Sequence, residues 1–274
     1  MSLYIASINS GSNGNCYYVG NNNEAILVDV GINCKEIEKR LKRIDLDVKK
    51  IKAIFISHEH SDHIIGTAVF ASKHNLPVYI SAGTLSRSNF GLKRISTHQL
   101  HHEKEVMVGD LKILPFSKMH DAADPLSFSI FHNHLCVGVI TDIGIACENV
   151  KKHFSTYDAA FLEANYDKDM LMNGRYPLHL KRRITSGKGH ISNAEAHELF
   201  LNHRSEKLKY LILSHLSKEN NTPDLVESLF NSTKHETRIV VASRYEESKV
   251  YHVGNTNVQQ ENIKVKASAQ MSLF

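Results

Sequence analysis

Ser57-His58-Glu59-His60-Ser61-Asp62-His63 follows directly on the apolar, β-branched run Ile51-Lys52-Ala53-Ile54-Phe55-Ile56. That run reads as a buried strand. Four side chains able to ligate a metal, His58, His60, Asp62 and His63, therefore stand together where a strand ends. Imidazole and carboxylate suit Zn²⁺ or Mn²⁺, and this density looks like half of a two-metal site. The plain alternative is a histidine-rich turn arising by chance in a chain with 18 histidines. Three histidines and an aspartate at this spacing and place are hard to obtain that way.

Outward from the motif, strand and helix patterns alternate. Upstream, residues 4–6 and 17–19 read as strands joined through Asn9-Ser10-Gly11-Ser12-Asn13-Gly14-Asn15, and spacing alone makes this a hairpin whose glycines permit positive φ. Residues 25–31 form a buried strand that ends in a turn, with Asp29 near its end. Ile37, Leu41 and Ile44 recur at helical spacing from residue 35 onward, the mark of an amphipathic surface helix with a solvated basic face. Downstream, residues 64–74 are apolar almost all round and predict a buried helix that stops before Pro77, with a strand over 78–80. Residues 81–104 read as a polar loop at the rim, and His98, His101 and His102 are not taken as ligands.

Gly109-Asp110 between alternating apolar runs predicts a hairpin, and its second strand runs on toward His120. Residues 128–131 and 135–140 pair across His132-Asn133-His134, and the second strand leads into Asp142. Residues 159–163 make another strand, with Glu163 at its end. The polar stretch 165–189, with the basic run Lys181-Arg182-Arg183, reads as a long loop or lid. Ser192 and Glu195 have capping-box spacing, so a helix starts just after Gly189-His190-Ile191. A strand over 208–213 leads to His215, Thr222-Pro223 opens a helix, and strands over 238–242 and 249–253 precede a polar tail.

The 274 residues suffice for a substantial core, and the net charge of +4 tolerates an anionic substrate without demanding one. Cys16, Cys34, Cys136 and Cys147 are far apart and read as reduced thiols, not as a disulfide framework or zinc knuckle. No apolar run reaches the ~18 residues of a membrane helix, and a cytoplasmic location is the expectation.

The pattern His-x-His-x-Asp-His resembles the signature of the metallo-β-lactamase superfamily, and the resemblance extends from the first strand to the last. It implies an α/β, four-layer αββα sandwich over residues 1–253, with metals at the sandwich edge. Residues 254–274 would be a flexible tail. By position, it puts His58, His60 and His120 on one ion and Asp62, His63 and His215 on a second, with Asp142 bridging. Asp29 would brace the histidine motif. Two such cations lower the pKa of a shared water and hold a phosphate between them. His190 corresponds to the Gly-His-x-Ser histidine of the superfamily's phosphodiesterases and transfer-RNA 3′-processing nucleases. There it is oriented by a strand-end glutamate, here Glu163, and serves catalysis along with the site aspartate Asp62. An imidazole held by a carboxylate can protonate a leaving oxygen; the alternative for His190 is a further metal contact.

His215 follows Asp142 by only 73 positions, which leaves no room for a β-CASP insertion, and His60 stands where the flavodiiron branch carries a carboxylate. The opening loop, His120-Asp121-Ala122, Glu163-Ala164-Asn165, Gly189-His190-Ile191-Ser192-Asn193 and His215-Leu216-Ser217 together are similar to the YycJ/WalJ-like metallohydrolases. That similarity implies a dinuclear-metal phosphodiesterase acting on DNA as a 5′-to-3′ exonuclease. Ser12, Asn15, Lys181, Arg182 and Arg183 would contact the substrate. A thioester or lactone hydrolase of the glyoxalase II type is the alternative; it shares the metals and has no need of Glu163 with His190. The final residues Gln270-Met271-Ser272-Leu273-Phe274 resemble the bacterial sliding-clamp motif, in which Leu273 and Phe274 would fill an apolar pocket and Gln270 would fix the register.

Overall fold

Alternation along the strand that leads to the histidine motif decides how the layers stack. In β4 (Ile51–Phe55) and the residue after it, Ala53 and Phe55 face one apolar layer while Ile54 and Ile56 face another. A strand buried on both faces needs cover on both, and the fold supplies it. The computed structural model describes residues 2–88, 91–92, 95–233 and 235–254.

Among these residues there are two seven-stranded sheets. The first comprises β1 (Ser2–Asn9), β2 (Cys16–Gly20), β3 (Ala25–Val28), β4, β5 (Val78–Ser81), β6 (Thr97–Leu100) and β14 (Tyr251–Gly254), in the order β14-β1-β2-β3-β4-β5-β6. The second comprises β7 (Val106–Val108), β8 (Leu111–Ser117), β9 (Leu126–His132), β10 (Leu135–Ile140), β11 (Ala159–Glu163), β12 (Tyr210–Ser214) and β13 (Arg238–Val241), in the order β13-β12-β11-β10-β9-β8-β7. Each sheet is antiparallel in one half and parallel in the other. β3 to β6 run parallel, as do β10 to β13.

Between the sheets lies a layer that includes Val28, Phe55, Phe128, Val139, Phe161 and Ile212, with the Phe55 and Phe128 rings edge to face at 5.8 Å. On the outer face of the first sheet, α1 (Cys34–Arg43) and α3 (Thr67–His74) bury Ile37, Leu41 and Phe70. On the outer face of the second, α5 (Glu148–Phe154), α8 (Asn193–His203) and α9 (Pro223–Asn231) bury Phe154, Phe200 and Phe230. The layers are thus α, β, β, α, the expected sandwich.

Three local expectations are corrected. The single buried helix over 64–74 is broken into α2 (Ser61–Ile64) and α3 at Gly66, whose N–H donates to Val30 O. Ile65 and Val69 stand 52% and 62% exposed, so apolar character all round did not mean burial here. The stretch 165–189 is not a structureless lid: it holds α6 (Lys168–Asn173) and α7 (Leu178–Ile184), packed around Tyr166, Leu171 and Ile184. The rim loop 81–104 contains α4 (Ala82–Arg87) and the edge strand β6, where His98 stacks on Tyr79 with ring centroids 5.0 Å apart. No helix among the described residues is long and apolar enough to cross a membrane.

Candidate metal centre

The parallel halves of both sheets send their carboxyl ends to one edge of the sandwich, where open α/β folds place ligands. Register sets the neighbours. Val28 pairs with Phe55, which brings Asp29 beside Ser57, and Glu163 pairs with Ser214, which brings it beside His215. Ile140 pairs with Leu162, so Asp142 joins the same row.

The motif itself is built from β4 and the short turn α2. Asp29 Oδ1 accepts the Ser57 N–H at 2.8 Å, and Asp29 Oδ2 accepts from Ser57 Oγ at 2.7 Å and His63 Nδ1 at 2.7 Å. With Nδ1 so engaged, Nε2 is the His63 nitrogen turned toward Asp62 and Asp142, and it also lies 3.0 Å from Asn15 Nδ2. Asn15 N donates to Asp62 O and Val30 N to His63 O, so the loops after β1 and β3 hold α2 in place. Gly31 is required there: a Cβ at that position would come within 1.7 Å of Asp62 O.

Two donor groups result. His58 Nε2 lies 3.1 Å from His60 Nδ1, which lies 3.4 Å from His120 Nε2. Asp62 Oδ2 lies 3.5 Å from His63 Nε2 and 3.4 Å from His215 Nε2. Ligands about 2.0–2.2 Å from one ion stand about 3–3.5 Å apart, so both groups have the spacing of ligands that share a cation. Asp142 lies between them, with Oδ2 3.1 Å from His63 Nε2 and Oδ1 3.9 Å from His120 Nε2. Asp142 Oδ2 is buried and has no hydrogen-bond partner among the described residues, a condition that a cation satisfies. The second ring nitrogens are tied down: His58 Nδ1 to Ser57 Oγ at 2.9 Å, His120 Nδ1 to Gly189 O at 2.9 Å and His215 Nδ1 to Glu163 Oε1 at 3.0 Å.

Electrostatics separate the imidazoles of this donor set into two kinds. Burial pushes His58, His60 and His120 down, His120 to about 3, which keeps these imidazoles in the neutral, ligating form. Burial also acts against charge on His63 and His215, but the surrounding carboxylates, Asp142 foremost, outweigh it and raise both, His215 to about 10. Asp62 and Asp142 are held well below the usual carboxylate range by His63 and His215 despite their burial. The pocket is rich in fixed negative charge and draws positive charge into it.

Glu163 is fully buried and holds three groups. Its Oε1 accepts from His190 Nδ1 at 2.7 Å and from His215 Nδ1 at 3.0 Å, and its Oε2 accepts the Ile143 N–H at 2.7 Å. Burial opposes its ionisation, yet His190 and His215 together lower its pKa. His190 Nδ1 lies 3.8 Å from Asp142 Oδ1, and the His190 side chain keeps 15% exposure.

The expected substrate contacts fare unevenly. Asn15 is fully buried: its Oδ1 accepts from Gly11 N and Tyr17 Oη, and its Nδ2 sits 3.3 Å from Asp62 Oδ2, so it supports the centre and faces no substrate. Ser12 is exposed, 3.4 Å from Arg244 Nη2. Lys181 Nζ donates to Met172 O at 2.7 Å and Arg183 Nε to Asp121 Oδ2 at 2.5 Å, so each head group gives one of its N–H donors to the protein. Arg182 is exposed, like Arg183, and its head group has no such bond among the described residues. Gln270, Leu273 and Phe274 lie outside the described residues.

Some supporting residues were not picked out as site residues. Asn165 Nδ2 donates to His215 O at 2.7 Å and lies 3.2 Å from His215 Nδ1. Its position two residues past Glu163 was the available signal. Lys118 is buried at the end of β8, with Nζ donating to Thr141 O at 2.6 Å. A lysine closing an apolar strand just before His120 was the signal there.

Comparisons with known proteins agree with this geometry. The model of the metallo-beta-lactamase superfamily matches residues 10–127. The chain is 33% identical to exodeoxyribonuclease YycJ of Bacillus anthracis over 249 residues, covering 90% of this chain and 94% of that protein. It is 33% identical over 222 residues to exodeoxyribonuclease WalJ of Streptococcus pneumoniae, covering 79% and 82%. Among solved structures, the metallo-beta-lactamase fold protein YhfI from Bacillus subtilis superposes with a TM-score of 0.70 at 17% identity, over 92% of this chain and all of that one. Edge geometry, family model and full-length relatives converge, and the chain belongs to the metallo-β-lactamase superfamily, in the branch that holds YycJ and WalJ.

Proposed function

We propose that this chain is a dinuclear-metal phosphodiesterase that degrades DNA from its 5′ end. The observation that carries the reading is the Glu163–His190 pair, bonded at 2.7 Å beside the two donor groups. The names of its relatives, exodeoxyribonucleases, support DNA as the substrate.

His58, His60 and His120 would hold one ion and Asp62, His63 and His215 the other, with Asp142 between them. Divalent cations bound there supply Lewis acidity, which acidifies water and neutralises the scissile phosphate. The chain's own residues do the rest. Asp29 and Glu163 fix the tautomers of His63 and His215, so the facing nitrogens present lone pairs. Glu163 also orients His190 through Nδ1, which leaves His190 Nε2 to give a proton to the departing oxygen. The donors are all nitrogen and oxygen, a set that Zn²⁺ and Mn²⁺ both accept.

The test is a 5′-phosphorylated DNA strand, labelled at either end and incubated with protein loaded with Zn²⁺ or Mn²⁺. Release of mononucleotides from the 5′ end is expected. Turnover of a thioester with the DNA left intact would overturn the reading in favour of a glyoxalase II-like hydrolase. A DNA substrate implies work in the cytoplasm. For the terminal pentapeptide we propose a bacterial sliding clamp as partner: a peptide of residues 262–274 is expected to bind it, and Leu273→Ala with Phe274→Ala to abolish binding.

A further inference from the structure

A cavity of about 270 Å³ begins one residue after His215. Leu216 and Lys218 line it from the turn after β12, Ala242, Arg244 and Tyr245 from the segment after β13, and Pro223 from the start of α9. Ser10 ties its wall to the metal centre: Ser10 Oγ accepts the His215 N–H at 2.8 Å, and Ser10 N–H donates to Ser243 O at 3.2 Å.

Its chemistry is distinctive. Lys218 and Arg244 line the cavity and, among the described residues, no carboxylate does. Arg244 Nη2 donates to neutral acceptors, Leu216 O at 3.0 Å and Ser12 Oγ at 3.4 Å, so its charge is not cancelled there. Tyr245 is 73% exposed, the most exposed of the large apolar side chains, although its own backbone is anchored through Arg40 Nη2 to Tyr245 O at 2.9 Å. A fixed backbone carrying a free aromatic ring beside two cations is the arrangement that stacks a base and receives a phosphate. At about 270 Å³ the cavity lies just under the ~300 Å³ at which ligand pockets begin, so it has room for one nucleotide at most.

We propose that this cavity seats the terminal nucleotide of the DNA strand, its base against Tyr245 and its phosphate between Arg244 and Lys218. The proposal rests on the phosphodiesterase reading above and adds the place where the strand end is held. It accounts for Ser12 differently from a direct contact, since the hydroxyl helps to aim Arg244.

The test uses the full chain loaded with metal, a 5′-phosphorylated single strand as substrate and dAMP as competing ligand. Tyr245→Ala and Lys218→Ala are each expected to raise the KM for the strand and the inhibition constant of dAMP about tenfold, with kcat changed much less. Tyr245→Phe, which keeps the ring, is expected to retain the wild-type KM. Both side chains are exposed, so melting curves should match wild type. If the wild type cuts DNA while the alanine variants keep KM and dAMP inhibition, or lose kcat alone, the subsite is refuted and the phosphodiesterase reading stands. If the wild type cuts no DNA under any metal, both fall together.

Discussion

Asp29, Asp142 and His215 share an unusual backbone: each is a non-glycine residue at positive φ, 62°, 53° and 56° respectively, just past the end of a strand. Such conformations cost roughly 1–3 kcal/mol each and persist where the surroundings dictate them. Here the surroundings are the donor pocket, and the turn swings each side chain back over its strand's end. At this scale His190 gives the sharpest test. His190→Ala is expected to retain the full metal content, because Glu163 still orients His215, while kcat falls by about 10²–10⁴-fold. Loss of a metal equivalent would instead make His190 a ligand. Thiol chemistry offers a second test. Burial raises the Cys16 and Cys136 pKa, Cys136 to about 12, so both stay protonated and unreactive at neutral pH and up to well past pH 9. Cys34 is buried as well, and Cys147 is the more accessible thiol. A maleimide reagent at pH 7 should label Cys147 first in the native protein and all four thiols after denaturation, as read by mass spectrometry.

Elements succeed or fail as supports for the site according to what anchors their ends. The capping box of α8 is complete, Ser192 accepting from Glu195 N and Glu195 from Ser192 N, and it lies two residues past His190. Ser192→Ala should cost about 1 kcal/mol in urea unfolding. The turn α2 depends on close backbone approach at Gly31. Gly31→Ala would drive a methyl into Asp62 O and is expected to lower metal content as well as stability, measurable by elemental analysis and by melting. Capping residues and glycines of this kind are visible in the sequence, and the start of α8 was legible for that reason. The break between α2 and α3 was not, because what ends α2 is a bond from Gly66 to Val30, thirty-six positions away. Likewise α6 and α7 span only six and seven residues, too few for a helical stripe to stand out, and bury only a small cluster of their own, so their residues read as loop.

At the scale of the whole molecule, the two sheets are near images of each other, and the site exists because their parallel halves end at a common edge. His58 and His215 are separated by most of the chain yet belong to adjoining donor groups, with Asp62 on the His58 turn reaching His215 at 3.4 Å. Cations bound there would tie the first sheet to the second through β4, β8, β10 and β12. Removal of metal with a chelator is therefore expected to lower the melting midpoint, and re-addition of Zn²⁺ or Mn²⁺ to restore it. An unchanged midpoint would mean that the sheets are held by their apolar layer alone.

The strands and the donors standing at their ends were legible in the sequence, because both are local patterns, while the assignment of the candidate ligands to two ions and the four-layer class came from the resemblance to the metallo-β-lactamase superfamily. Tertiary structure decided which side chains turn inward and which head groups are already spoken for. Asn15 became a buried brace, Lys181 and Arg183 each gave an N–H to Met172 O and Asp121, and Arg244 and Tyr245 came from another strand's end to line one cavity with Leu216. The physical reason is that a donor's availability depends on the partner it meets, and such partners come together only when distant strands settle into register.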